Sequence, residues 1–250
     1  MDSLFPRLAI CLCLAGLLSA NGASPTAKQD IAPLVSRFES RYRAAHTLQA
    51  TFLERYSENG RVVRVEAGTA YFRSSGKMRW EYESPEKNLF LVDGKSAWFY
   101  VPADHTVFRV PAKESTDSRT PLALLAGQAK VSRVCARVEP AFNEQAASSN
   151  NAVLYCRLRG NESPRSKPGD AQDSPQTGGA GEAAFFEIVR ESGELVRVKV
   201  RDSGGVEIEF QFANWRTDPI LADALFRFDP PRGVAIVDGG APAANGLRNQ

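Results

Sequence analysis

Hydrophobic and polar positions follow two periods along this chain, first one of three to four residues and then one of two. The longer period occurs near the start, in five apolar residues: Ile31, Leu34, Val35, Phe38 and Tyr42. Residues at this spacing share one face of an α-helix, so we predict an amphipathic helix there. The period of two begins at Leu48 and recurs in separate stretches as far as Phe212. It predicts β-strands that each have one apolar and one polar face.

Turn-forming residues divide these strands into hairpins. Asn59-Gly60 and Asp93-Gly94 are dipeptides that favour tight turns between antiparallel strands. Ser203-Gly204-Gly205 separates a further pair, in which valines alternate with basic residues before the turn and apolar residues alternate with acidic ones after it. We count about eleven strands in all, and therefore predict a mainly β protein built on an antiparallel sheet.

The predicted helices are too small to cover the apolar face of such a sheet. Eleven strands would span roughly 50 Å, whereas a helix is about 10 Å across and only one further short helix is predicted, at Thr120–Leu125. The apolar face must therefore curl into a barrel or meet something else apolar. Its large side chains are predicted to be Phe52, Met78, Trp80, Tyr82, Leu89, Leu91, Trp98 and Tyr100. Alternation leaves open whether they fill a core or line a cavity.

The first 23 residues have the layout of a secretory signal peptide. Arg7 supplies the positive charge, Leu8–Leu18 is an uncharged apolar run, and small residues lead to Ala23. The run is shorter than the roughly 20 apolar residues that span a bilayer. Cleavage after Ala20 or after Ala23 fits equally well. No later segment is long and apolar enough to span a membrane, so we expect an exported protein that is soluble in the periplasm.

The rest of the chain is predicted to form one domain over residues 24–240. Residues 161–182 are rich in glycine, proline, serine and charge, which is typical of a flexible loop. Residues 241–250 are expected to be a disordered tail. Hydrophobic residues make up 43% of the chain and charged residues 24%, as in ordinary globular proteins.

Two of the four cysteines remain after signal cleavage, Cys135 and Cys156. They lie in the β-like stretches Val131–Val138 and Val153–Leu158, which could be neighbouring strands. Export to an oxidising compartment favours a disulfide between them. Two buried free thiols are the alternative. Because the chain has no Cys-x-x-Cys, a disulfide here would be structural.

Charge and motifs argue against nucleic-acid binding and against catalysis. The chain has 31 basic and 29 acidic residues, a net charge of +2, and no basic cluster of the kind that binds nucleic acid. It lacks the Gly-x-Ser-x-Gly and His-Glu-x-x-His motifs of hydrolases. Its two histidines, His46 and His105, are predicted at a helix end and in a turn. We therefore expect no enzyme activity, no cofactor and no metal.

Five motifs follow one another over nearly the whole mature chain. They are Leu48–Phe52; Gly68 with Met78–Tyr82 and Pro85; Asp93–Lys95 with Trp98–Tyr100 and Pro102; Thr120–Leu122 with Leu125; and Phe226–Val234. In content and order they resemble the outer-membrane lipoprotein carrier family (LolA). The resemblance implies an incomplete antiparallel β-barrel closed by lid helices, with a hydrophobic cavity that takes up the acyl chains of lipoproteins.

The resemblance also implies partners and site residues. An inner-membrane ATP-driven transporter would load the carrier, an outer-membrane acceptor would unload it, and the carrier would be a monomer. The expected lipid-binding residues are Leu48, Phe52, Phe72, Met78, Trp80, Tyr82, Leu89, Leu91, Trp98 and Tyr100. The expected lid residues are Leu34, Phe38, Leu122 and Leu125.

One position departs from the family pattern. The family often has Arg-Pro shortly before the tryptophan strand, where the arginine holds the lid, but Ser74 and Ser75 stand there in this chain. Arg73 is adjacent, yet a shift of one residue points a strand side chain to the opposite face. The sequence therefore leaves open whether Arg73 takes over the lid-holding role.

The size of an acyl chain explains why a carrier is needed. Each buried CH₂ is worth about 0.8 kcal/mol, so several long acyl chains cannot cross water unaided. Two alternatives share the same fold, a carrier of another lipid or amphiphile and a non-enzymatic sensor or acceptor. An acceptor would normally be anchored to the membrane, and the lack of a cysteine for lipid attachment argues against that alternative.

Overall fold

Strands dominate the structure, a computed structural model that describes residues 30–74, 76–112, 125, 130–159, 183–201 and 204–239. The predicted signal peptide, the loop at 161–182, the tail at 241–250 and the lid residue Leu122 lie outside these residues. Helix α1 comprises Ala32–Ala44 and α2 comprises Val131–Val134, and a 3-10 helix comprises Asp223–Phe226. None of the described helices has the length and apolarity needed to cross a membrane.

Within the described residues, twelve strands form one sheet. The strands are β1 Thr47–Glu58, β2 Arg61–Arg73, β3 Lys77–Ser84, β4 Leu89–Val92, β5 Ser96–Val101, β6 Thr106–Pro111, β7 Cys135–Pro140, β8 Asn151–Leu158, β9 Ala183–Val189, β10 Leu195–Arg201, β11 Val206–Thr217 and β12 Ala235–Asp238. Their order in the sheet is β12-β6-β5-β4-β3-β2-β1-β11-β10-β9-β8-β7. All neighbours are antiparallel except β12, which runs parallel to β6. The prediction missed β12.

The sheet curves strongly without closing, which confirms the predicted incomplete barrel. Strands β3 and β11 lie three places apart in the sheet, a separation of about 14 Å if the sheet were flat. The ring centroids of Trp80 on β3 and Phe210 on β11 are nevertheless only 5.3 Å apart. The sheet must therefore bend so that these rings meet on its concave side. We call this side the inner face and the other side the outer face.

The predicted turn residues adopt the backbone conformations that the hairpins need. Asn59 and Gly60 have φ of 49° and 77°, in the left-handed region that favours asparagine and glycine. Gly68 has a different role, because a Cβ atom there would lie 1.9 Å from the carbonyl oxygen of Glu81 on β3. Only glycine therefore lets β2 and β3 approach this closely.

The disulfide between Cys135 and Cys156 is confirmed, and it joins β7 to β8 at one edge of the sheet. Both cysteines are buried. The predicted strand at Val131–Val138 is only partly right, because Val131–Val134 forms the single turn of α2. Helix α2 starts beside α1, where Glu39 accepts a hydrogen bond of 2.7 Å from the backbone N–H of Val131.

Candidate functional site

Aromatic side chains from β1, β2, β3 and β11 meet on the inner face around Trp80. The ring centroid of Trp80 lies 4.8 Å from that of Phe52, 5.7 Å from that of Phe72, 5.3 Å from that of Phe210 and 5.9 Å from that of Phe212. We call these five residues the inner floor. Trp80 has no exposed surface, and its indole N–H has no hydrogen-bond acceptor among the described residues.

Helix α1 lies across the inner face at the end where β1 begins. Phe38 packs against Phe186 of β9, and Tyr42 packs against Trp215 of β11, with ring centroids 6.3 and 5.6 Å apart. The Tyr42 hydroxyl accepts a hydrogen bond of 2.9 Å from the N–H of Leu195. Burial raises the pKa of this hydroxyl, so it stays neutral and holds the helix in place.

The predicted lid residues Leu34 and Phe38 both lie in the inner apolar cluster, and so does Leu125. Each of the three is buried, with at most 8% of its surface exposed. Leu125 belongs to this cluster although it lies neither in a strand nor in α1. All three therefore pack against the apolar side chains of the inner face.

Six of the ten predicted lipid-binding residues lie on the inner face: Leu48, Phe52, Phe72, Met78, Trp80 and Tyr82. Leu89, Leu91, Trp98 and Tyr100 lie on the outer face instead. Cross-strand pairing shows this, because Leu91 is opposite Arg79 and Trp98, whereas Trp80 is opposite Phe90. The prediction that all ten share one face is wrong for these four.

Residues 219–234, which we call the C-terminal strap, cover the part of the outer face where these four residues lie. The ring of Phe228 lies 5.7 Å from that of Trp98 and 5.5 Å from that of Tyr100. Phe226 is buried in the same region, with 1% of its surface exposed. Strand β4 is therefore covered on both faces, which explains why all four of its residues are buried.

Arg73 attaches the strap to β2. Its guanidinium group forms an ion pair with Asp223 and donates a hydrogen bond of 2.6 Å to the carbonyl oxygen of Leu221. It also lies 4.8 Å from the centroid of the Phe226 ring. These contacts are all on the outer face, because Arg73 directly follows the inner-face residue Phe72 on β2.

Polar side chains replace apolar ones on the inner face towards the Asn59-Gly60 turn. Glu54 of β1 lies directly opposite Glu66 of β2, and both are buried, with 4% and 7% of their surface exposed. The Tyr82 hydroxyl donates a hydrogen bond of 2.6 Å to Glu54. Arg64 Nε lies 2.9 Å from a Glu66 carboxylate oxygen, and the guanidinium carbon lies 5.3 Å from the Tyr56 ring centroid. We call these five residues the polar end.

Sequence reasoning missed several inner-face residues that contact the predicted ones. They include Phe90, Phe186, Phe210, Phe212 and Trp215. The signal for two of them was present, because Phe210 and Phe212 alternate with polar residues on β11. The pairing of β1 with β11 determines which residues Phe210 and Phe212 contact, and this pairing cannot be predicted from the alternation within one strand.

The described residues offer no group of three histidine, cysteine or acidic side chains that could hold a metal ion. His46 and His105 are exposed. The backbone N–H groups of His46 and Thr47 donate to Asp218 Oδ1 at 2.7 and 3.2 Å. Hydrogen bonds from Thr47 and then His46 lower the pKa of Asp218, so its carboxylate joins the start of β1 to the end of β11.

The chain is similar to known proteins over most of its length. Residues 43–151 match the family of the outer membrane lipoprotein carrier protein LolA. An outer-membrane lipoprotein carrier protein from Methylococcus capsulatus is 28% identical over 206 residues, covering 81% of this chain and 86% of that relative. One from Chromobacterium violaceum is 29% identical over 245 residues, covering 96% of this chain and 100% of that relative. A solved LolA superfamily structure from Nitrosomonas europaea covers 78% of this chain and 96% of its own, with 7% identity and a TM-score of 0.41.

Proposed function

We propose that this chain, which is similar to outer-membrane lipoprotein carrier proteins over most of its length, binds the acyl chains of lipoproteins on its inner face and carries them from the inner to the outer membrane. The carrier works in the periplasm as a monomer and without catalysis. An inner-membrane ATP-driven transporter loads it, and an outer-membrane acceptor unloads it. The names of the relatives support the cargo.

The observation that carries this proposal is the inner floor. Its aromatic rings and the neighbouring Leu48 and Met78 form a continuous apolar surface on the concave side of an open sheet. A curved sheet with large apolar side chains on its concave side is suited to surround alkyl chains, which have no polar groups to be satisfied.

The lid must move for a chain to enter. The inner floor is buried in this structure, and residues of α1 and Leu125 belong to the same apolar cluster. Helix α1 is attached by the buried hydrogen bond between the Tyr42 hydroxyl and Leu195 and by an ion pair of 2.7 Å between Arg41 and Glu194 that is partly exposed. The ion pair contributes little stability, so opening of the lid would mainly require Leu34, Phe38 and Tyr42 to leave the inner apolar cluster.

Native mass spectrometry with lipid extraction tests the proposal directly. The protein would be purified without detergent from the periplasm of its own host. We expect acylated lipoprotein, or its lipid, to copurify. A lipid-free protein that also fails to keep added lipoprotein in solution would contradict the proposal, and would indicate that the inner floor is a packed core.

Fluorescence quenching locates the acyl chain. The chain has three tryptophans, of which Trp80 is on the inner face and Trp98 on the outer face. In the variant W98F/W215F only Trp80 remains, and a brominated acyl chain should quench its fluorescence. In the matched variant W80F/W215F only Trp98 remains, and quenching should be weak. Equal quenching in the two variants would show that chains do not bind selectively to the inner face.

A further inference from the structure

Basic side chains are concentrated at one edge of the sheet. Strands β8 and β7 end the sheet at this edge, and α2 leads into β7. Glu139 is the acidic residue that occurs within these three elements. The surface is therefore strongly cationic, although the whole chain has a net charge of only +2. Five of its basic residues are exposed, and we call them the basic edge: Lys130, Arg133, Arg137, Arg157 and Arg159.

Pairing between β7 and β8 brings two of these cations face to face. Arg137 lies directly opposite Arg157 in the register of the two strands. Residues at such positions have Cβ atoms about 4.5–5.5 Å apart, and like charges there are destabilising. Within the described part of the chain, Arg137 forms an ion pair of 2.6 Å with Glu139, and Arg157 forms no ion pair. Anions from outside the protein would offset this repulsion.

The other cations extend this surface along the edge. Arg159 follows Arg157 by two positions, and its Nε donates a hydrogen bond of 3.1 Å to the carbonyl oxygen of Ser132 beside α2. Lys130 and Arg133 lie on either side of the buried Val131 at the start of α2. Because the cations are spread over two strands and a helical turn, they fit an extended array of anions better than a single anion.

The surface of an anionic bilayer is such an array. Its phosphate groups form a negatively charged plane that attracts clusters of basic residues. Phe142, two residues beyond the end of β7, has 74% of its surface exposed. An exposed aromatic ring combined with basic residues is typical of elements that rest in a membrane surface, whereas a soluble acidic partner requires only the charges. The two features together therefore favour a membrane.

The position of the basic edge suits an open carrier. Strands β7 and β12 are the two ends of the sheet as far as the structure describes it. On the inner side of β7 and β8, Cys135 and Cys156 belong to the inner apolar cluster, and Leu158 packs against it. A bilayer that contacts the basic edge would therefore lie next to the concave side of the sheet.

We propose that the basic edge and Phe142 form a docking surface for membranes that contain anionic phospholipids, and that docking places the open side of the sheet beside the bilayer. This contact is made by the outer surface and requires no bound cargo. It therefore goes beyond the proposed carrier function and is tested separately from it.

Vesicle sedimentation tests the docking on the unaltered protein. The protein is mixed with vesicles of phosphatidylcholine alone, or with vesicles of phosphatidylcholine and phosphatidylglycerol in equal parts. We expect binding to the anionic vesicles only, and loss of this binding when the ionic strength is raised to about 0.5 M. Binding to neither kind of vesicle, or equal binding to both, would overturn the proposal whether or not any variant folds.

Matched variants assign the binding to the basic edge. Each cation near an anionic membrane contributes about fivefold to the partition coefficient, so R137Q/R157Q should weaken binding about 25-fold. The variant R137K/R157K keeps both charges and should bind like the unaltered protein. The control R227Q/R232Q removes two exposed arginines of the strap and should leave binding unchanged. Equal binding by R137Q/R157Q and this control would overturn the proposal.

Phe142 and a soluble polyanion distinguish a membrane from an acidic protein partner. The variant F142A should weaken binding to anionic vesicles severalfold, because it removes the ring that enters the bilayer surface. Unchanged vesicle binding in F142A, or binding of the unaltered protein to polyglutamate but not to vesicles, would overturn the proposal. Either result leaves the carrier function intact, because no cargo is present. Conversely, failure of lipoprotein to copurify would leave the docking surface intact.

Discussion

Replacing Trp80 by alanine should weaken the apolar centre of the protein and at the same time make room for an acyl chain. A buried tryptophan removes about 150–250 Å² from water, worth about 4–6 kcal/mol at about 25 cal/mol per Å². Alanine retains part of this burial, and the four phenylalanine rings around Trp80 can relax only in part. We therefore expect W80A to lower the free energy of unfolding by about 3–5 kcal/mol.

Ligand binding should partly reverse this loss. The space vacated by Trp80 is lined by phenylalanine rings, and apolar cavities of this kind stay dry and bind apolar ligands. An acyl chain that binds only the folded state raises its stability by RT ln(1 + [L]/Kd). Urea unfolding with and without methyl laurate should thus show a larger ligand-induced stabilisation for W80A than for the unaltered protein.

Trp98 provides the matched control on the outer face. Its indole donates to Asp93 at 2.9 Å and its ring packs on Phe228, so W98A should cost about 1–2 kcal/mol. Its response to methyl laurate should equal that of the unaltered protein. A cost below about 1 kcal/mol for W80A, far under that of a large-to-small core change, would refute the reasoning. So would equal stabilisation of the two variants by ligand.

Three further predictions concern the disulfide, the strap and the inner face. Replacing Cys135 and Cys156 by serine should lower the free energy of unfolding by about 3 kcal/mol, measured by urea unfolding; an unchanged midpoint would contradict it. The Arg73 guanidinium lowers the pKa of Asp223. The ion pair that attaches the strap to β2 is therefore fully formed above the ordinary aspartate pKa of about 3.9. It is lost as the pH falls through the lowered pKa of Asp223. Hydrogen exchange of residues 221–226 should accelerate over that acidic range, and in D223N it should be fast throughout, without this pH dependence. Met78→Glu should impair acyl binding or release while circular dichroism shows an intact sheet; unchanged loading and unchanged handover would rule this out.

The sequence predicted the hairpins well because their determinants are local. Asn59-Gly60 requires a tight turn whatever surrounds it, and alternation on β3 places Met78, Trp80 and Tyr82 on one face. The curled sheet was one of the two arrangements that the sequence allowed, since the predicted helices were too narrow to cover an open one. These conclusions depend only on periodicity, turn chemistry and size.

Face assignment across turns was less predictable, because it depends on register. Leu89–Val92 is a continuous apolar run, and such a run does not show which of its residues share a face with Trp80. The strap adds a second apolar layer that covers the outer face at Leu91 and Trp98. If one face of the sheet is assumed to be exposed to solvent, Leu91 and Trp98 are both assigned to the inner face. The contact of Trp80 with Phe210 could not be predicted either, because it requires β1 to pair with β11.

The strand order restricts when the protein can complete its folding. Strand β1 lies between its sequence neighbour β2 and the distant β11, and the hydrogen bond from Thr51 to Ala213 joins residues 162 positions apart. Chains are synthesised from the N-terminus, so β1 to β6 exist long before β11. Until β11 arrives, Phe52 and Trp80 lack the two phenylalanines that complete their surroundings. Such late, non-local pairing slows folding and leaves this apolar surface exposed until β11 has paired with β1.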